Sequence, residues 1–125
     1  MQFGVIGSGS WATALVKILA DNNNKVNWWV RNSATVEYIR SRRHNPNYLS
    51  SAYFDVSLLH IADDINTVVR NSDVLVLAIP SAYIQEVLHL VDKKLLENKK
   101  IVSAIKGIVQ GPDILLNEYL QQEYN

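Results

Sequence analysis

The chain has 125 residues, 48% of them hydrophobic and 19% charged, with a formal net charge of zero. That length suffices for one domain with a real core, and the missing basic excess gives no support to nucleic-acid or anionic-membrane binding. There is no cysteine, so disulfides and thiolate chemistry are excluded and a reducing, cytoplasmic setting fits.

The first residues enter an apolar run at once, so no signal peptide is expected, and no run approaches the length of a membrane span. That run, Phe3-Gly4-Val5-Ile6, predicts a strand. Gly7-Ser8-Gly9-Ser10 follows as a turn, and Trp11, Ala14, Leu15, Ile18 and Leu19 then share one face of a helix. Gly7 suits a turn that a Cβ would obstruct, Gly9 a close approach of backbone to ligand, and Ala12 the small third place of Gly-x-Gly-x-x-Gly/Ala. The helix start offers unpaired N–H groups and a partial positive charge to a phosphate. An ordinary strand-to-helix turn is the alternative, but the strand before, the helix after and a second strand on schedule are the context the motif requires.

Asp21-Asn22-Asn23-Asn24 stops the helix, and Lys25 to Val30 reads as the second strand. Trp28 and Trp29 would point to opposite faces, as a sheet covered on both sides allows. Ser33 or Thr35 opens the next helix, with Val36 and Ile39 inward and Arg40, Arg42 and Arg43 at its negative end, read as a solvated terminus. His44 to Leu58 is a long irregular segment, and Pro46 pushes Asn45 out of helix. Leu59 to Ala62 is a short strand, and Asp63 or Asp64 caps a helix carrying Ile65, Val68 and Val69. Asp73 to Ile79 reads as a strand buried on both faces. Pro80-Ser81 breaks it, with Ser81 the expected N-cap of a helix burying Ile84, Val87, Leu88 and Val91. Lys93 to Lys100 is a charged connection, Ile101 to Ile105 a fifth strand ending at Lys106-Gly107, and Gly111-Pro112-Asp113 introduces a last helix running toward Tyr124.

This alternation gives the fold class: α/β, a Rossmann-type doubly wound, mainly parallel sheet with helices on both faces. Ligands of such sheets bind beyond the C-terminal strand ends, here Gly7 to Trp11, Arg31, Pro80-Ser81 and Lys106-Gly107. An NAD site usually places Asp or Glu at the end of the second strand, roughly 20 residues past the glycines. Arg31 stands there instead, and a guanidinium suits a 2′-phosphate, so NADP is preferred over NAD. The competing possibility is a surface arginine turned away from the pocket. Lys106 reads equally as a phosphate or carbonyl contact and as a solvated lysine before a glycine. Ser81 reads first as a cap, although the amides behind it could face a cofactor. No metal site is expected: His44, His60 and His89 are far apart, and no cysteine accompanies them.

Gly7-Ser8-Gly9-Ser10-Trp11-Ala12-Thr13-Ala14 resembles the opening fingerprint of NAD(P)-dependent glycerol-3-phosphate dehydrogenases. So do Trp29-Val30-Arg31, Asn45-Pro46-Asn47-Tyr48-Leu49, Ile79-Pro80-Ser81 and Ile105-Lys106-Gly107-Ile108, in order and spacing across the chain. The resemblance implies reduction of dihydroxyacetone phosphate to glycerol 3-phosphate with NAD(P)H, supplying the backbone of phospholipids. Its cofactor-binding positions here would be Gly7, Ser8, Gly9, Ser10, Trp11, Ala12, Arg31, Tyr48, Pro80, Ser81 and Lys106, with Lys106 serving both nicotinamide and substrate. Ala12 departs from the family's usual glycine. The family also carries a second, helical domain with the general acid/base lysine, to which nothing here corresponds. Residues 1–125 are therefore expected to be an NAD(P)-binding domain that turns over little alone, the intact protein being a homodimer. A stand-alone dinucleotide-sensing module, or a related reductase for another keto acid or imine, are the other readings.

Overall fold

In the computed structural model, the residues described are 2–45, 53–97 and 99–103, with the backbone of 108–109 and 114–115. Strand β1 (Phe3–Ile6) lies at the centre, between β2 (Val26–Trp29) and β4 (Val74–Leu77), with β3 (Leu59–Ala62) and β5 (Lys100–Ser103) at the edges. The order is β3-β2-β1-β4-β5 and every pairing is parallel, with Ile6 level with Trp29 on one side and Leu77 on the other. Parallel strands need crossovers, which α1 (Ser10–Asp21), α2 (Ser33–Arg42), α3 (Ile65–Arg70) and α4 (Ile84–Leu88) supply.

The sheet separates two cores. Val5, Val26 and Trp28 pack with Ala12 and Val16 of α1 and Val36 and Ile39 of α2. Ile6, Trp29, Leu75 and Leu77 pack with Val68 of α3 and Ile84 and Val87 of α4. The adjacent tryptophans thus serve opposite faces, as the strand period requires. At the N-terminal sheet edge a buried polar knot holds the strands: Asn27 Nδ2 donates to Ser72 Oγ at 3.2 Å, and Ser72 Oγ donates to the Val68 carbonyl at 2.6 Å.

Several expectations need correction. Helix α1 buries Ala12, Thr13, Val16 and Ala20, not the face of Trp11 and Ile18, which are 58% and 57% exposed. Close packing onto the sheet selects the small side chains, while Leu15 and Leu19 pack at its margin and Trp11 and Ile18 are left outside. Ser81 caps nothing: Ser81–Tyr83 form a single 3-10 turn without a side-chain cap, and α4 begins only at Ile84. Pro80 fixes the backbone of the turn ahead of Ser81, and the Tyr83 amide closes it onto the Pro80 carbonyl at 2.9 Å. Where the last helix was expected to start, Ile114–Leu115 form a strand (β7), antiparallel to Ile108–Val109 (β6). The β-branched residues on either side of Gly111-Pro112 suit a ribbon better than a helix. The rest of that expected helix lies outside the described residues. Strands β2 and β4 are shorter than expected, and β5 runs Lys100–Ser103 rather than from Ile101 onward.

The charged connection after α4 folds into a 3-10 turn over Lys93–Leu96 that buries Leu96, while α2 begins at Ser33 as expected. Asn32 caps α2 and Asp64 caps α3, each through its side chain. The arginines closing α2 are held on the surface. Arg40 pairs with Glu37 and donates to the Ile61 carbonyl, and Arg42 lies 5.9 Å above the Tyr38 ring.

Candidate functional site

The C-terminal edge of the sheet carries the glycine turn. Gly7 has φ +129°, a conformation L side chains rarely adopt, and a Cβ there would overlap the Ala78 carbonyl oxygen. Gly9 is different. Its φ is −74° and nothing lies within 4 Å of where its Cβ would be. The fold itself does not need glycine at that position, so the space is left for something else.

Each carbonyl of the turn is tied down by a side chain from behind. Trp28 Nε1 donates to the Gly7 oxygen at 2.6 Å. Asn45 Nδ2 donates to the Ser8 oxygen at 3.1 Å and to Thr13 Oγ1 at 3.0 Å. Thr13 donates to the Gly9 oxygen through Oγ1 at 2.7 Å and through its amide at 2.9 Å. Trp28, Asn45 and Thr13 are all buried. The acceptors of the turn are therefore satisfied, while the first-turn amides of α1 have no intrahelical partner and Gly9 supplies no side-chain cap. The result is a surface rich in donors at the positive end of a 12-residue helix.

A cleft of about 240 Å³ opens beside this turn, lined by Gly7, Ser8, Gly9, Trp29, Arg31, Ala78, Ile79, Pro80, Tyr83 and Val87. Of the expected site residues, the structure brings Gly7, Ser8, Gly9, Arg31 and Pro80 together here. Ser10 and Trp11 are exposed at the start of α1 and do not line the cleft, and Ala12 is buried against the sheet face. Ser81 stands between the lining residues Pro80 and Tyr83 without lining the cleft itself. Tyr48 and Lys106 lie outside the described residues. Arg31 is exposed, and its Nη2 stands 2.9 Å from Glu86 Oε1. A second cavity, about 320 Å³, lies between α2 and the end of β3, away from the glycines.

Four contributors were not visible in the sequence pattern. Trp28 read as core only, and Thr13 stood inside the fingerprint block with no role of its own. Asn45 carried two signals, its place before Pro46 and its block in the family resemblance, but nothing in its spacing pointed to Ser8. Glu86 is 55 residues from Arg31 and gave none.

Among the described residues no group of three or more His, Asp or Glu is gathered as for a metal ion, and no helix is long and apolar enough to cross a membrane. His44 instead sits edge-on between the rings of Tyr38 and Tyr53. Asp55, before the 3-10 turn Val56–Leu58, does not line the cleft. Hydrogen bonds from the Ser57 hydroxyl and amide hold its carboxyl below the ordinary aspartate value of 3.8, with help from the Arg43 charge.

Strand order, the glycine turn against the central strand and the cleft at the strand ends define a Rossmann-type α/β domain. The chain belongs to the family described as NAD-dependent glycerol-3-phosphate dehydrogenase N-terminus, whose model matches residues 2–125. It is 32% identical over 123 residues to the glycerol-3-phosphate dehydrogenase [NAD(P)+] of Teredinibacter turnerae, covering 98% of this chain and 36% of that protein. It is 35% identical over 121 residues to the enzyme of the same name from Myxococcus xanthus, covering 97% and 36%. The crystal structure of glycerol-3-phosphate dehydrogenase from Coxiella burnetii superposes with a TM-score of 0.83 at 27% identity, over 98% of this chain and 37% of that one. The chain thus spans little more than a third of the length of these relatives.

Proposed function

We propose that residues 1–125 form the coenzyme-binding domain of an enzyme that reduces dihydroxyacetone phosphate to glycerol 3-phosphate, with NADP preferred and NAD accepted. The observation that carries this is the turn whose carbonyls are all bonded from behind, so that the amides at the start of α1, without intrahelical partners, are what it offers a ligand. The residues fit a dinucleotide. The open space at Gly9 admits a diphosphate against the backbone, and the cleft beside it is walled by Ile79, Pro80, Tyr83 and Val87, surfaces suited to a flat base.

The bound coenzyme supplies hydride for the ketone carbon. What this chain supplies is grip and orientation. The amides of Ser10 and Trp11 face the diphosphate, and Ala12 keeps α1 close to the sheet. Arg31, at the end of β2 and on the cleft, takes the 2′-phosphate of NADP. By resemblance Tyr48 and Ser81 lie along the coenzyme, and Lys106 contacts both nicotinamide and substrate oxygen. The general acid/base lysine belongs to a part of the enzyme outside these residues. The intact enzyme is read as a cytoplasmic homodimer.

Fluorescence titration with NADPH and NADH tests the assignment. Arg31→Ala should weaken NADPH by about 10-fold or more and NADH by about 2-fold or less. Equal losses would refute the role given to Arg31, and no binding of either nucleotide would refute the site.

A further inference from the structure

Arg31 is already engaged. Its Nη2 lies 2.9 Å from Oε1 of Glu86, an acid in the first turn of α4. The pair links the end of β2 to α4, whose Val87 walls the same cleft as Arg31. No acid stands after β2, where one would favour NAD, yet the fold brings a carboxylate to that corner from 55 residues away.

We infer that Glu86 is a specificity-determining residue that lowers the preference for NADP by acting through Arg31. This rests on reading Arg31 as the group that meets a 2′-phosphate. A phosphate that takes the Nη2 donor displaces the carboxylate from it. The freed carboxylate then stands near a dianion and repels it. A nucleotide with a plain 2′-hydroxyl requires no exchange, because the pair stays closed. The size of the bias follows from exposure. The two side chains are 61% and 56% exposed, and pairs in such surroundings hold with a preference of about 5-fold or less. Glu86 therefore tilts the balance between coenzymes rather than blocking either.

The test is direct titration of the protein with NADPH and NADH, comparing the parent with Glu86→Gln, Arg31→Ala and the double variant. Glu86→Gln should tighten NADPH by about 2- to 5-fold and leave NADH nearly unchanged, with the gain shrinking as salt is raised. In the Arg31→Ala background the same substitution should lose most of its effect on the NADPH-to-NADH ratio. A ratio that Glu86→Gln leaves unchanged, or moves toward NADH, overturns the inference. If Arg31→Ala still discriminates against NADPH in that case, the role of Arg31 stands and only that of Glu86 falls. If Arg31→Ala weakens both nucleotides equally, both fall.

Discussion

The indole nitrogen of Trp28 donates to the carbonyl oxygen of Gly7 at 2.6 Å, joining the core of one sheet face to the turn at the head of the sheet. Trp28 is fully buried and its ring meets Phe54 edge-on at 5.4 Å. A residue of the packed interior thereby fixes which way a peptide group at the candidate site faces. Trp28→Phe keeps an aromatic ring there but strips the Gly7 oxygen of its donor. The expected loss is ~1–3 kcal/mol of stability, read as a lower urea midpoint, together with weaker NADPH binding. Unchanged values on both counts would show that the bond orients nothing.

The two glycines of the turn should respond differently to the same methyl group. Gly7→Ala meets both a positive φ and the Ala78 carbonyl, and should destabilise the fold by on the order of 3 kcal/mol. Gly9→Ala meets open space at an ordinary φ, and should cost less than about 1 kcal/mol. Its methyl group would stand where a diphosphate approaches, so nucleotide affinity should fall by about 10-fold or more. Thermal unfolding and nucleotide titration of the two variants separate the roles. A Gly9→Ala protein that binds normally would remove the ligand from this surface.

Asn45→Ala removes the donor shared by the Ser8 oxygen and Thr13 Oγ1 inside a buried site. A loss of ~1–3 kcal/mol is expected, with reduced nucleotide affinity. Asn45→Asp should fare worse at neutral pH, since a carboxylate would face the Ser8 carbonyl with no proton to offer. If Asn45→Asp proves as stable as the parent in denaturant, the assigned bonds are wrong.

Asp55 gives the pH dependence. Its carboxyl is held below the ordinary value, first by the Ser57 hydroxyl, then by the Ser57 amide and the Arg43 charge. A depressed folded-state value means the contribution is complete above the ordinary aspartate range and is lost as pH falls through the folded-state value. Asp55→Asn should therefore be less stable than the parent at neutral pH, and the gap should close in acid. Urea midpoints measured across that range check it, and a gap that widens in acid would reverse the sign.

Where side-chain period and backbone chemistry agreed, the fold was legible. The Trp28/Trp29 alternation assigned the two rings to opposite cores, and Asp64, Val36 and Ile39 fell where propensity and periodicity placed them. Helix α1 was misread because Trp11 and Ile18 carry more apolar weight than Ala12 and Val16, while contact with the sheet rewards small size. Ser81 was misread because Pro80 imposes a tight turn before any cap can act. In the site, Gly7, Gly9 and Arg31 were visible as a local pattern. Trp28, Asn45 and Glu86 were not, because each reaches its partner across the fold, and spacing carries no record of such pairings.

The way the turn is built separates two sensitivities. Peptide amides neither gain nor lose a proton in ordinary buffers, so the grip proposed for the diphosphate is indifferent to mild acid and draws on no mobile charge. The Arg31–Glu86 corner is made of solvated ions instead, and it should register changes in electrolyte as well as in charge. If Arg31 and Glu86 have the roles proposed above, a change in salt would then shift the balance between the two coenzymes as well as the strength of the hold on their common part.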